Sequence, residues 1–361
     1  MSFLHSASSR AGHSGPRTLV IVVVALAAAA LKGPLYGVAF AQAPAPTGLI
    51  VGSGNFFSPI VSDLDKAIAF YRDGIGLDIT GNPANASENA PLRNMFGLPD
   101  AQLRWTIGRT PAVRAGVEIV EISKADGKRA ERRIQDSGAF TLLVLVRDVD
   151  AAFAKVKAVG APVVTTGGAP MTVGRARAVV VKDPDGHFVE IVRPDPLPET
   201  TAPDTANVIG VRVRLTVDDA GQALKQYQEL GMPGTMNLMF TANDAVMKMF
   251  GLKADGQYRV ANMDVPTSGL RLEFIEFKGV DRKTVRSNIQ DPGSTRMQIQ
   301  VRDVDATIAA LKASGGTVVS TGGGTVDLPG RGGAVTKTAI VRDPNNLFLV
   351  LLQAAPARAN P

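Results

Sequence analysis

The sequence predicts an α+β fold made of four copies of one strand–helix–strands module. Three observations carry this. The hexapeptide VRDVDA stands at 146–151 and again at 301–306, an offset of 155. Ile134-Gln135-Asp136 and Val163-Val164-Thr165-Thr166-Gly167-Gly168 recur at that offset as Ile289-Gln290-Asp291 and Val318-Val319-Ser320-Thr321-Gly322-Gly323. Met95-Phe96-Gly97-Leu98 recurs at an offset of 154 as Met249-Phe250-Gly251-Leu252, so the chain contains a duplication.

Each half is itself double. The segments 61–71, 146–156, 217–227 and 301–311 align without gaps, and each ends a strand and starts a helix. An aspartate (Asp63, Asp148, Asp219, Asp303) stands where its carboxylate caps the first turn. Apolar residues follow at i, i+3, i+4 and i+7, as in Leu64, Ala67, Ile68 and Tyr71, which is one helical face. Gly74, Gly160, Gly231 and Gly315 follow as stops. Strand-like runs come next, among them LRWTIG, GVEIVEIS, ARAVVVKD and HFVEIVR in the first half. LRLEFIEF, KTAIVRD and LFLVLLQ are their counterparts in the second, so the module reads βαβββ. The expected division is residues 50–195, with modules 50–130 and 137–195, then a Pro- and Thr-rich linker 196–206. Residues 207–354 follow, with modules 207–282 and 292–354.

Residues 1–41 read as an export signal. Arg10 and Arg17 precede the apolar run 18–31, and Ala39-Phe40-Ala41 is an A-x-A cleavage site. The run is shorter than the roughly 20 residues a bilayer span needs. The expected product is periplasmic or secreted, touching the membrane only through this segment. Removing it takes away Arg10, Arg17 and Lys32 and no acid, so the formal net charge falls from +6 to +3. No basic run remains to suggest a nucleic acid. The chain has no cysteine, which excludes disulfides, thiolate metal sites and cysteine nucleophiles. Of its histidines, His5, His13 and His187, only the last lies outside the signal, so a site needing several imidazoles is excluded within one mature chain.

Four βαβββ modules in two pairs, with a VxDxD-type junction and the turn Asp183-Pro184-Asp185-Gly186, resemble the vicinal oxygen chelate (glyoxalase, bleomycin-resistance and dioxygenase) superfamily. The resemblance covers nearly all of the chain beyond the signal and implies two tandem units, each curled into a cleft. In catalytic members it implies one metal, held by the first and last strands of both modules. Placing the first-strand ligands five residues before the junction valine gives Phe56 and Thr141 in the N-terminal unit, with Glu121 and Glu190 on the last strands. The C-terminal unit gives Arg212, Arg296, Glu276 and Val350.

Phe56 cannot bind a metal and Thr141 is a poor ligand. Glu121 and Glu190 are therefore the candidate metal and catalytic residues, suited to one hard divalent ion (Mg²⁺, Mn²⁺ or Ca²⁺). The alternative leaves them bonded to arginine or water. Arg212 and Arg296 beside Glu276 suit either an anionic ligand or an ion pair that fills a dead cleft. Phe56, Thr141, Trp105, Arg212, Arg296 and Glu276 are the candidate ligand-binding residues, and the MFGL segments are expected to cover the clefts as short helices. His187, in the turn of DPDGH and three residues before Glu190, is expected to point away from the Glu190 cleft, as a surface or turn histidine. The functional expectation is an exported protein that binds a small, partly apolar molecule in its N-terminal cleft. It would be either a divalent-metal lyase or isomerase or a metal-free binding protein.

Overall fold

The computed structural model describes residues 48–80, 87–111, 113–330 and 334–353, so the expected signal segment 1–41 lies outside the described residues. Module one comprises β1 (Ile50–Ser53), β2 (Ser58–Val61), α1 (Leu64–Ile68), α2 (Ala90–Phe96), β3 (Gln102–Thr110) and β4 (Val113–Ser123). Module two comprises β5 (Phe140–Val146), α3 (Val149–Ala158), β6 (Met171–Val173), β7 (Ala176–Lys182) and β8 (Phe188–Arg193). Module three runs through β9 (Val208–Thr216), α4 (Ala220–Glu229), β10 (Gly234–Met236), β11 (Thr241–Ala242), α5 (Asp244–Met249), β12 (Gln257–Asp264) and β13 (Arg271–Lys278). Module four runs through β14 (Thr295–Val301), α6 (Val304–Ala313), β15 (Thr317–Val318), β16 (Val326–Pro329), β17 (Val335–Arg342) and β18 (Phe348–Gln353).

All four junction aspartates cap their helices. Asp63 accepts from the Asp65 and Lys66 amides, Asp148 from Ala151, Asp219 from Gly221 and Gln222, and Asp303 from Ala306. Helix α1 differs at its far end. It widens into a π-helical turn through Ala69–Ile75 and stops at Gly76 (φ 89°) rather than at Gly74. Gly74 is instead a packing glycine, because a Cβ there would come within 2.9 Å of Val159 beyond α3.

The α+β architecture in two large sheets is as the sequence predicts; the partnership of modules inside it is not. One nine-stranded sheet runs β15-β17-β18-β14-β2-β4-β3, with β1 on β14 and β16 on β17. It joins module one to module four. The other runs β10-β12-β13-β9-β5-β8-β7-β6, with β11 on β12, and joins module two to module three. Each sheet is closed by antiparallel pairing of first strands, Ser58 opposite Arg296 in one and Thr141 opposite Arg214 in the other. The clefts therefore combine modules one with four and two with three. Repeats alone carry no information on which copy pairs with which, because all four present the same strand edge.

The other pairing runs through buried tyrosines. Tyr71, on the π turn of module one, donates to Asp183 Oδ2 of module two at 3.0 Å. Tyr227 of α4 donates to Asp343 Oδ2 of module four at 2.9 Å. Each aspartate opens the turn before its module's last strand, and its Oδ1 takes two turn amides. The four modules are thus linked in a ring, by sheets between one and four and between two and three, and by tyrosine–aspartate bonds along each half.

His187 belongs to this network and not to the surface. It is 3% exposed, with Nδ1 2.8 Å from Asp183 Oδ2 and Nε2 3.0 Å from the Ser294 carbonyl. Burial pulls its pKa down, but the Asp183 carboxylate outweighs that and the net value lies above the ordinary 6.5. At the matching turn of module four, Leu347 replaces the histidine, and burial without a cationic partner raises the Asp343 pKa.

Two outcomes are expected. The folded state holds the imidazole proton more tightly than the unfolded chain. Its stabilisation is therefore full below pH 6.5 and is lost as pH rises through the higher folded-state value. The melting-temperature gap between the native chain and His187→Leu should accordingly narrow as pH is raised from 6, and a constant or widening gap contradicts the charged pair. Second, chains cut in the 196–206 linker should co-purify as a one-to-one pair of halves, while either half alone self-associates through its open sheet edges. Two well-folded monomeric halves would contradict the crossed pairing.

Candidate functional site

Eight strand positions face the two clefts at their centres. In the first cleft, between modules one and four, they are Ser58, Glu118, Arg296 and Val350. In the second, between modules two and three, they are Thr141, Glu190, Arg214 and Glu273. The first-strand position lies five residues before the junction valine in modules two and four but three before it in modules one and three. In a continuous strand the two positions would share a face, so period alone does not separate them; in module one β2 begins only at Ser58 and Phe56 lies before it.

This relocates most of the sequence-predicted residues. Glu121 and Glu190 lie in different sheets, on β4 and β8, so they cannot share one ion. Glu121 turns away from the cleft and accepts from the Leu64 amide at the start of α1 at 2.9 Å, with Arg104 beside it. Glu276 does the same for α4, accepting from the Ala220 amide at 2.9 Å and from Arg259. Both are helix anchors, favoured by the positive helix end. The inward carboxylates are Glu118 and Glu273, three residues earlier on the opposite strand face. Phe56 is fully buried in the main core on the helix side of the sheets. Arg212 sits at the rim of the second cleft, 3.8 Å from Glu273, while Arg296 faces the first, so these arginines do not converge. Thr141 faces the second cleft, opposite Arg214. Trp105 lines the first.

Each cleft is covered by its MFGL helix, held down from the opposite module. The Ser320 hydroxyl donates to the Met95 carbonyl at 2.7 Å, and the Thr165 hydroxyl donates to that of Met249 at 2.9 Å. The same hydroxyls accept from the Ile340 and Val180 amides, both at 2.8 Å. A Cβ on Gly97 would stand 2.3 Å from the Val319 carbonyl oxygen, and one on Gly251 2.4 Å from that of Val164. Both residues have φ near +68°, so only glycine permits the approach without strain. The VVTTGG and VVSTGG repeats are therefore latches for the covering helices.

An arginine occupies the floor of each cleft, with the covering phenylalanine on its face. The Phe96 ring centre is 4.6 Å from the Arg296 guanidinium, and that of Phe250 is 5.5 Å from Arg214. In the second cleft Arg214 is bonded to both Glu190 and Glu273. Phe277 and Phe250 pack edge to face above it, and Ile275, Met247 and Met249 fill the remaining space. At its centre this cleft is filled by its own side chains; the pocket of about 360 Å³ beside Phe188, Phe250 and Leu252 does not reach Arg214, Glu190 or Glu273.

The first cleft is open. A cavity of about 160 Å³ remains, with Leu92, Met95, Phe96, Leu103, Trp105 and Val120 among its walls. On its floor Glu118 accepts from Arg296 Nη2 at 3.0 Å, Gln298 Nε2 at 2.9 Å and the Ser58 hydroxyl at 3.4 Å. Arg296 is 1% exposed, burial draws its pKa below the ordinary arginine value, and its Nε has no partner. Residues at matched positions differ in size, and not all in one direction, since Trp105 stands where the second cleft has Val260. Leu103, Val120 and Ile122 stand where the second cleft has Tyr258, Ile275 and Phe277, and Val350 stands where it has Glu190.

Residues 55–191 match the family model described as Glyoxalase/Bleomycin resistance protein/Dioxygenase superfamily. This match to the vicinal oxygen chelate superfamily spans modules one and two. Glyoxalase I from Zea mays is 19% identical, with a TM-score of 0.51, covering 83% of this chain and 92% of that one. A mutant of the same maize enzyme gives the same identity and score over 94% of its chain. At this identity the likeness shows the fold. No curated protein sequence matches the chain.

Vicinal oxygen chelate proteins often bind a divalent metal, and the residues here do not fit one. The first cleft offers one carboxylate, already bonded to arginine, with a valine at the fourth corner. The second offers two carboxylates, with a guanidinium between them where a cation would sit. Among the described residues no group of three or more Asp, Glu, His or Cys could hold a metal ion. Arg214 thus acts as a built-in cation. Arg214→Ala should destabilise the fold by about 3–5 kcal/mol, the cost of leaving buried carboxylates unpaired. Millimolar Mn²⁺ or Ca²⁺ should restore part of the lost melting temperature in this variant and leave the native chain unchanged. Equal effects of the ions on both proteins would contradict this role.

Proposed function

We propose that this protein is a metal-independent member of the vicinal oxygen chelate superfamily that binds a small, largely apolar molecule in the cleft between modules one and four. The observation that carries the reading is the 160 Å³ cavity beside Trp105 with a buried Arg296–Glu118 pair on its floor. Apolar walls around a few convergent polar groups are what small-molecule sites are made of. The latched helix α2 forms the lid and Phe96 its inner face. A lyase or isomerase using an ion on Glu121 and Glu190 is not proposed, since those carboxylates serve separate sheets.

The protein is further proposed to work outside the cytoplasm after cleavage near Ala41, on the basic segment, apolar run and A-x-A site of its first 41 residues. Edman sequencing of the exported product should begin at or near Gln42; an intact Met1 on membrane-bound protein would contradict cleavage.

Trp105 is the sole tryptophan and reports on the cleft directly. Its emission, excited at 295 nm, should change saturably on titration with toluene, and an excess of EDTA should leave the curve unchanged. Val120→Ile with Ile122→Phe, which installs the residues of the second cleft, should abolish the change without lowering the melting temperature. A response that needs a metal, or that survives the filling variant, would contradict the proposal.

A further inference from the structure

We infer that the ligand of the first cleft is an uncharged molecule of single-ring size that presents one carbonyl-type oxygen to Arg296. This rests on the reading of that cleft as a binding site and adds its chemical class. Size comes first. A dry cavity of about 150 Å³ accommodates benzene, and the cleft measures about 160 Å³.

Charge comes second. Among the residues lining the cavity only Arg296 and Glu118 are ionic, and they are bonded to each other at 3.0 Å. The pair is neutral as a whole. A carboxylate ligand would place a second negative charge beside Glu118 with no second cation to meet it. An ammonium would do the same beside Arg296. Either charge would be desolvated by the apolar walls without compensation.

The oxygen comes third. A guanidinium carries five N–H donors, and Arg296 makes one hydrogen bond, to Glu118. Its Nε is buried out of reach of the cavity and the Phe96 ring covers one face, so the donors left for a ligand are those of Nη1 and the second N–H of Nη2. The neighbouring Gln298 amide spends a donor on the same Glu118 oxygen. The cleft floor thus has unused donors in an almost dry setting, where a neutral acceptor gains a charge-assisted hydrogen bond at little desolvation cost of its own. The second cleft is the internal comparison. There Arg214 meets two carboxylates, and the neighbouring pocket beside Phe188 and Phe250 is not lined by Arg214.

The test uses the purified full chain and three probes that share a six-membered ring: cyclohexanone, cyclohexanecarboxylate and cyclohexane. Binding is read by calorimetry and by shift of the melting temperature. Cyclohexanone should bind at least tenfold more tightly than either of the others. The paired change Arg296→Met with Glu118→Gln removes both charges at similar volume. It should bring the ketone to within threefold of cyclohexane and leave cyclohexane's own affinity unchanged. If that variant does not fold, Arg296→Lys, which keeps the cation and loses the planar donors, should shrink the ketone's advantage instead. Cyclohexane binding as tightly as the ketone, or the carboxylate binding tightest, overturns the ligand class while leaving the cleft a binding site. A ketone preference that persists without Arg296 also overturns it. No binding of any probe by either readout overturns the binding-site reading itself.

Discussion

Two antiparallel strand junctions organise this molecule: β14 on β2, and β5 on β9. Each joins the first strand of one module to that of a module from the other half of the chain. The cleft walls, the covering helices and their latches all follow from these junctions, because a helix from one module can lie only over the sheet its own strands extend. Helix α2 is held by Ser320 and α5 by Thr165, and each latch crosses the same junction as the sheet beneath it. The buried Tyr71–Asp183 and Tyr227–Asp343 bonds run along the chain instead. Sheets in one direction and tyrosine bonds in the other close the ring, so no module depends on a single neighbour.

The junctions also bring charge to the cleft floors. A fold whose relatives often hold a cation at this place here carries one as a side chain. A guanidinium cannot leave, needs no loading, and satisfies carboxylates in a fixed planar geometry. Arg214 does so completely, between two carboxylates, and the second cleft has packed shut around it. Arg296 does so in part, because Val350 replaces the second carboxylate. The substitution of an acid by valine both lowers the cleft's polarity and leaves donors of the arginine unspent. The same change therefore makes the first cleft hospitable to an apolar body and to one oxygen.

The module, its helix caps and its order were legible in the sequence because they rest on local chemistry. An aspartate before an amphipathic run caps a helix wherever the module sits. The covering role of the MFGL segments was legible too, since the glycine after a short apolar helix is a local stop. What the sequence could not yield was any relation that needs a partner. Nothing local distinguishes pairing one with two from pairing one with four, and the convergence of Glu121 with Glu190 depended on that choice. The second failure was one of strand face. Glu118 and Glu121 are three apart and point opposite ways, and the sequence offers two carboxylates for one inward place. The helix-end amide that claims Glu121 is visible only in space. The tyrosines at the ends of the first and third amphipathic runs were a usable signal for His187. Each such run faces a DPxx turn in the following module, and a phenol buried there requires an acceptor.

The two halves differ at matched places. In the turn network the N-terminal half keeps the charged partner, His187, and the C-terminal half has Leu347. On the cleft floors the module-two corner keeps Glu190, and the module-four corner has Val350. Both replacements fall in module four, and both substitute an aliphatic side chain for an ionisable one. Module four, through β14 and β18, supplies half of the open cleft. Module two, through β5 and β8, supplies half of the second. At the centre of the second cleft the buried charged groups find their partners within the chain. On the floor of the open cleft Arg296 has one partner, Glu118, and a ligand can complete what the protein leaves unfinished. A duplicated scaffold can afford this division, because the satisfied half holds the ring in shape while the other half keeps a buried arginine short of acceptors.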